Sequence, residues 1–443
     1  MKQIPEHVYR DSLYEKLFND EDARACRDID EAACREVPHN FRRLLTGHAA
    51  SKLADALASP KTVLTWLLTG IGAPAALVAW LVPIREAGSM LPQLWIGGWV
   101  RRLPLRKQVW ALGSVAQGLA LFGMAVTALW MDGLGGGLAV LGWLALFSLA
   151  RAFCSVAAKD VMGKTMAKQR RGRVTGISSS VAGGIALGAG VLLAGLSGAD
   201  DRTMTVSLVA LAGAVWMVAA AAFARIEETP GETDGGINGI AAALKSLRLI
   251  VDDPPFRHFV ISRALLLVSA LAAPYYLVLA RETDTGGTLL AGLGSFVIAA
   301  GLADLLSSPF WGRFADISAR RTMQWAGGFA SLLTLAVVSV AVGAPDLADQ
   351  PGWYPLVFFL LSVAHAGVRL GRKTYLVDLG RGNRRTAYVS VSNTVIGALL
   401  LLSGLLGLLT VWIGTTGLLL VLAGLGLAGV AMAQRLPETQ HDA

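Results

Sequence analysis

The sequence predicts an all-α polytopic membrane protein, with 12 transmembrane helices in two pseudo-symmetric six-helix bundles. Three observations carry that expectation. Apolar stretches recur from Phe41 onward, each near the roughly 20 residues that a helix needs to cross a bilayer. Basic residues gather at one side of those stretches. The two halves of the chain align at a single offset.

Composition supports the first observation. The 443 residues are 54% hydrophobic and 16% charged, with a mean hydropathy of +0.55, whereas a soluble domain carries roughly 25% charged residues. The apolar runs are too long for barrel strands and lack strict alternation, and lipid offers no partner to an open backbone, so they read as helices. To within a few residues the spans are 42–68, 74–100, 108–130, 135–166, 174–197 and 203–224, then 256–281, 288–311, 322–343, 353–380, 386–410 and 414–434.

The net charge of +8 does not point to nucleic acid, because the basic residues sit at the ends of apolar segments rather than on one soluble face. Arg101, Arg102, Arg106, Lys107, Lys168, Arg170, Arg171, Arg173, Arg225, Lys245, Arg248, Arg320, Arg321, Arg381, Arg384 and Arg385 fall on one side; Arg202 and Arg281 fall on the other. The positive-inside rule then puts both termini and the central linker in the cytoplasm, and the expected location is a bacterial cytoplasmic (inner) membrane. No signal peptide is visible in the polar first 40 residues. The expected organisation is an acidic N-terminal tail (1–40), a first bundle (41–224), a linker (225–255), a second bundle (256–434) and a short C-terminal tail (435–443). In the linker Ile237, Ile240, Leu244, Leu247 and Val251 repeat at helical spacing and predict an amphipathic surface helix. Cys26, Cys34 and Cys154 imply no disulfide framework.

The repeat is specific. Gly98 and Gly312, Arg106 and Arg320, Lys107 and Arg321, Gly113 and Gly327, and Pro60 and Pro274 all stand 214 positions apart. So do Ser148, Arg151, Ser155 and Lys159 against Ser362, His365, Arg369 and Lys373, each set lining one helix face. A duplicated unit of this kind puts a ligand site between the halves, near the midplane.

Gly312-Arg-Phe-Ala-Asp316-Ile-Ser-Ala-Arg320-Arg321 resembles the loop motif of the major facilitator superfamily, Gly-x-x-x-Asp-(Arg/Lys)-x-Gly-(Arg/Lys)-(Arg/Lys). It falls between the second and third spans of its half, as in that family, with Ile317 and Ala319 as departures. The first-half copy, Gly98 to Lys107, has Arg102 where the motif has aspartate. Arg151 resembles the family's buried fourth-helix arginine. Gly184, Gly188 and Gly190 resemble its glycine-rich antiporter motif without the proline. The resemblance covers 42–434. It implies the family's fold, a cytoplasmic gate built on Gly98, Arg102, Arg106, Lys107, Gly312, Asp316, Arg320 and Arg321, and transport by alternating access. It reaches no substrate subfamily.

Charged side chains inside the spans need a reason, since each costs about 2.5–3.5 kcal/mol at mid-helix on insertion scales. His48, Lys52, Asp55 and Ser59 form one polar stripe on the first span; Arg85, Glu86, Ser89 and Gln93 form another on the second. Asp55 and Glu86 are the expected proton-coupling carboxylates, with Arg151 as switching partner: burial favours the neutral acid, a nearby cation the ionised one. A static salt-bridge network, Lys52 with Asp55 or Arg85 with Glu86, is the alternative. His48, Lys52, Arg85, Tyr275, Tyr276, His365 and Arg369 are the expected cavity residues. Arg263 and Lys164 read as interface anchors, and for Asp304 and Lys159 gate pairing or snorkelling is the expectation.

Central bases outnumber central acids, which favours an anionic or zwitterionic solute. A neutral or cationic amphiphile packed on Tyr275, Tyr276 and Phe296 is the competing substrate, and analogy with acid-plus-arginine family members favours efflux of amphipathic compounds. No phosphate-cradling Gly-x-x-x-x-Gly-Lys-(Ser/Thr) is present, and no nucleophile triad or metal-ligand cluster stands out. The expected partners are a small-molecule substrate, protons and membrane lipids, with no cofactor, metal, nucleic acid or enzymatic activity, in a monomer. A transporter-like receptor and a membrane-embedded lipid enzyme are the rival classes.

Overall fold

The structure is a computed structural model, and it describes residues 31–100, 102–166, 168–195, 201–231, 233, 247–282, 292–379 and 384–438. Every regular element among them is a helix. The first predicted span is not one rod. It is a helix Val37–Leu57 (α2, preceded by the short α1, Glu31–Arg35), a break at Ala58 to Thr62 around Pro60, and then α3, Val63–Gly70. Proline lacks the amide that the helix ladder needs, so the chain bends there. The second span divides similarly, into α4 (Ala75–Val78), α5 (Leu81–Met90) and α6 (Gln93–Val100). Four long helices follow: α7 (Lys107–Trp130), α8 (Gly133–Thr165), α9 (Lys168–Gly195) and α10 (Asp201–Ala224).

In the second half α11 (Leu249–Asp252) leads into α12 (Pro254–Leu266), whose cap is Asp253 accepting from the Phe256 amide at 3.1 Å. Then come α13 (Val268–Glu282), α14 (Leu293–Ile317), α15 (Ala319–Gly343), α16 (Pro345–Ala348), α17 (Trp353–Leu379) and α18 (Arg384–Ser403), then a 3-10 turn and α19 (Thr410–Gln434). Gly414, at φ 68, breaks α19 near its start.

Where the spacing predicts 12 spans, eight helices among the described residues are long and apolar enough to cross a membrane, or nine if the two parts of α14, bent by 42° near Pro309, count together. The shortfall has local causes. The break around Pro60 and the breaks at Ala79–Trp80 and Leu91–Pro92 divide the first two spans, and residues 391–434 read as one 44-residue apolar run. Trp95, Trp130, Trp325 and Trp412 stand exposed, as interfacial aromatics do. Leu112, Leu119 and Val126 form an exposed apolar stripe on α7, the kind of surface that lipid covers.

Packing repeats with the sequence. In the first half α7 packs on α8 and α10, α2 on α9 and α10, and α5 on α8. In the second, α15 packs on α17 and α19, α12 on α18 and α19, and α14 on α17. These are the same partners carried forward by the repeat. The halves meet where α5 packs on α18 and α9 on α14, two contacts that the repeat exchanges. Small residues allow both approaches: Gly294 lies against the Ala194 backbone, and Gly397, Gly404 and Gly407 lie against Leu91, Trp80 and Ala76.

Three expectations at the segment ends change. Residues 37–40 are not tail, because α2 begins at Val37 and buries Val37, Pro38 and Asn40, whose amide exchanges hydrogen bonds with the Glu227 backbone at 2.8 Å. Residues 435–438 are not free either, since Leu436 is buried and Glu438 is bonded to α15 and its cap. Cys34 is in a disulfide whose other half lies outside the described residues. Most of the predicted amphipathic linker helix, 237–246, also lies outside them.

Candidate functional site

One carboxylate organises the middle of the first half. Asp55, in the last turn of α2, accepts from Arg85 Nη2 of α5 and from Arg151 Nη1 of α8, each at 2.7 Å. Three helices thus converge on one anion. Arg85 is 8% exposed and lies 4.8 Å from the Phe147 ring centroid, so its fork is flanked by an aromatic face and a carboxylate. Two guanidiniums on one carboxylate leave the trio with a surplus positive charge. Gly88 gives α5 its close approach to α8, since a side chain there would meet Ser148.

Glu86, the other expected coupling acid, stands apart from the trio. Its side chain makes no hydrogen bond or ion pair among the described residues; it lies within electrostatic reach of Lys61, Arg263 and Arg372, and of Arg85 and Arg151. Lys61, in the break after α2, and Arg372, seven positions after His365 on α17, were missed by the sequence reading. Helical spacing from His365 and Arg369 would have found Arg372. Arg263, expected as an interface anchor, is instead buried and donates to Ser392 Oγ at 2.7 Å and Asn393 Oδ1 at 3.0 Å.

The remaining expected cavity residues disperse. His48 is a correction: its ring packs beside the stacked Trp110 and Phe223, at 5.2 and 5.8 Å, so it belongs to an aromatic cluster inside the first half. Lys52 reaches α9, donating to the Thr175 carbonyl at 2.8 Å and to Ser179 Oγ, not to Asp55. Tyr275 and Tyr276 are corrections as well. They are 1% and 0% exposed, in packing rather than on open space, and the Tyr276 hydroxyl meets Thr334 Oγ1 at 3.1 Å. His365 Nδ1 meets Ser269 Oγ at 3.1 Å, and Arg369 pairs with Asp304 at 3.1 Å.

No family model matches the chain, and no curated protein does. Solved structures do. A POT family transporter in complex with 5-aminolevulinic acid aligns over 89% of this chain and 95% of its own, at 13% identity and a TM-score of 0.66. A D-xylose-proton symporter aligns over 91% and 98%, at 12% identity and 0.64. The nucleoside transporter NupG aligns over 90% and 99%, at 10% identity and 0.68. The chain has the major facilitator fold.

In this major facilitator fold the loop motif of each half ends in a clamp that the sequence reading did not foresee. Arg102, in the aspartate position, is exposed and makes no ion pair among the described residues. The carboxylates come from elsewhere. Arg106 pairs with Asp160 of α8, and Glu228 accepts from the Arg106 and Lys107 amides at 2.8 and 2.7 Å and from Lys164 Nζ at 3.0 Å. Lys164 is thereby a clamp residue rather than an interface anchor. In the second half Arg320 pairs with Glu438 at 3.3 Å and donates to the Leu436 carbonyl at 2.9 Å. Among the described residues Arg321 bonds through its amide alone, to Ser318 Oγ, and Asp316 is exposed and makes no ion pair. Glu228 and Glu438 occupy the same place in a short repeat, Arg225-x-x-Glu228-Thr and Arg435-x-x-Glu438-Thr. That repeat was the available signal.

Close approaches between the halves gather at the end remote from these clamps. Arg281 of α13 lies 4.0 Å from the Trp66 ring centroid of α3, and Trp66 lies 6.1 Å from Phe296 of α14.

Proposed function

We propose that this chain is a secondary active transporter that moves a small organic solute by alternating access, coupled to protons through Asp55, Arg85 and Arg151. The observation that carries this reading is the Asp55 carboxylate held at 2.7 Å by guanidiniums from two other helices. Desolvating such ions costs several kcal/mol each, and ionisable groups within a membrane are functional by default. The trio works as a switch in this reading. A proton on Asp55 removes the charge that holds Arg85 and Arg151, so α2, α5 and α8 are released to shift; loss of the proton recaptures both.

The reading treats 41–224 and 256–434 as two six-helix bundles joined by 225–255, with the basic loops and both termini cytoplasmic. Close contacts at the Trp66 end and unlatched Asp316 at the other are what an inward-open state would have. A proton symporter and a nucleoside transporter among the fold's neighbours agree with a coupled carrier of small solutes. Efflux of amphipathic compounds is disfavoured by the burial of Tyr275, Tyr276 and Phe296, the aromatic wall such a substrate would need.

Reconstitution into proteoliposomes tests the reading. Asp55→Asn should lose proton-driven accumulation while keeping counterflow of labelled solute. Unchanged proton-driven transport in both Asp55→Asn and Glu86→Gln would refute the coupling. Absence of counterflow for the native protein would favour the receptor or enzyme classes.

A further inference from the structure

One face of α14 carries a groove. Pro309 withholds an amide from the helix ladder, and the helix bends there by 42°. Beside the bend lies a groove of about 390 Å³ lined by Leu306, Pro309, Phe310, Arg313, Phe314 and Ile317. The Phe310 and Phe314 rings stand on successive turns, 6.4 Å apart, with an interplanar angle of 5°. The groove lies on neither packed face of the helix. α14 meets α9 through Gly294, Val297 and Ile298, and it meets α17 through Trp311, which donates to the Val363 carbonyl at 2.8 Å. Positions 306, 310, 313 and 317 recur at spacings of three and four and form a third stripe. Leu306, Phe310 and Ile317 on that stripe are 59%, 60% and 63% exposed, as side chains turned toward lipid are.

A cation sets this stripe apart from an ordinary lipid-facing surface. Arg313 is exposed, and its guanidinium makes no hydrogen bond or ion pair among the described residues. Asp316, the nearest carboxylate along the chain, is not part of the groove lining. Nor is the charge a legacy of the duplicated scaffold. Trp99 stands 214 positions before Arg313 and packs on Phe153 at 5.9 Å, and Ile96, in the place of Phe310, is 0% exposed. From Leu306 to Ile317 the groove follows about 17 Å of helix at 1.5 Å per residue, roughly half of a hydrocarbon core about 30 Å thick. That is the depth of one leaflet. Arg313 lies toward the end of the groove that leads to Arg320 and Arg321, where a guanidinium can hold a phosphate with two parallel bonds. An unpaired charge at lipid depth is costly, and an anionic headgroup supplies its missing partner. We propose that this groove binds one anionic phospholipid, with the phosphate on Arg313 and an acyl chain along Leu306, Phe310 and Phe314. With the basic loops cytoplasmic, the lipid belongs to the cytoplasmic leaflet. The site is independent of the solute and of the Asp55 switch.

The experiment titrates the purified full-length protein, delipidated in detergent, with three probes. These are phosphatidylglycerol, phosphatidylcholine with the same acyl chains, and inorganic phosphate. A ligand of the folded state raises the melting temperature with occupancy, and native mass spectrometry counts the lipids retained. Phosphatidylglycerol should be retained and should stabilise at lower concentration than phosphatidylcholine. Arg313→Gln should bind phosphatidylglycerol about fivefold more weakly, the worth of one basic residue at an anionic surface, with phosphatidylcholine unchanged. Arg313→Lys should keep the preference. Leu306→Trp fills the groove without removing the charge and should also lower phosphatidylglycerol retention; it stands in if Arg313→Gln does not fold. Equal stabilisation by the two lipids overturns the proposal. So does an undiminished preference for phosphatidylglycerol in Arg313→Gln, or in Leu306→Trp where that variant stands in. Inorganic phosphate reproducing the full shift would also overturn it, because the acyl chain would then contribute nothing. A dimer that forms without lipid and is lost in these variants would assign the groove to a second copy of the chain, and would overturn it as well.

Discussion

Asp55 and Ser269 hold equivalent places in the two halves, and so do Arg151 and His365, each pair 214 positions apart. In the first half the equivalent helices are joined by an ion pair, reinforced by Arg85. In the second they are joined by a single hydroxyl–imidazole hydrogen bond of 3.1 Å, and Ala299 stands where Arg85 would repeat. One scaffold therefore carries two chemistries. A neutral hydrogen bond contributes about 1 kcal/mol and breaks as helices slide. A buried carboxylate between two guanidiniums resists separation unless its charge is removed. In the proposed mechanism this difference places the proton switch in the first half.

The largest expected effect tests that contrast directly. Asp55→Ala leaves Arg85 and Arg151 as uncompensated, largely buried charges, which should destabilise the protein by about 3–5 kcal/mol; Ser269→Ala should cost about 1 kcal/mol. Melting curves of the two variants in one detergent compare them, and equal shifts would break the contrast. The cytoplasmic clamps supply a second pair. Glu228→Gln removes a buried carboxylate that accepts from two amides and Lys164 and should cost about 2 kcal/mol. Glu438→Gln, with a partly exposed Arg320 partner, should cost about 1 kcal/mol or less. A transplant sharpens the comparison further. Ser269→Asp with His365→Arg rebuilds the first-half pair in the second half, and a double-mutant cycle should return a favourable coupling of about 0.5–3 kcal/mol. A coupling of zero would mean that the equivalent positions are not equivalent in geometry.

How far the sequence foretold this follows from what each signal depends on. Apolar runs announce lipid-crossing helices because hydrophobicity is a local property, yet the breaks around Pro60, at Ala79–Trp80 and at Leu91–Pro92 stayed hidden inside the runs, as proline only marks where a helix can give way. Asp55 and Arg151 were legible because a charge in an apolar span is costly anywhere. Arg85 was assigned to Glu86 or the cavity, since the choice of partner is made by tertiary contact and not by neighbourhood along the chain. His48 shared a face with Asp55 but was turned into packing by Trp110 and Phe223, which lie on other helices. The clamp glutamates Glu228 and Glu438 fell in segments read as linker and tail, where carboxylates look solvated by default.

Asp55 as the carrier of the coupling proton is tested most directly by infrared difference spectroscopy of the reconstituted protein between acidic and alkaline buffer. The native protein should show a carboxylic-acid band that appears on acidification and is missing in Asp55→Asn, while Ser269→Ala retains it. The same band, undiminished, in both Asp55→Asn and Glu86→Gln would contradict a proton held at this site.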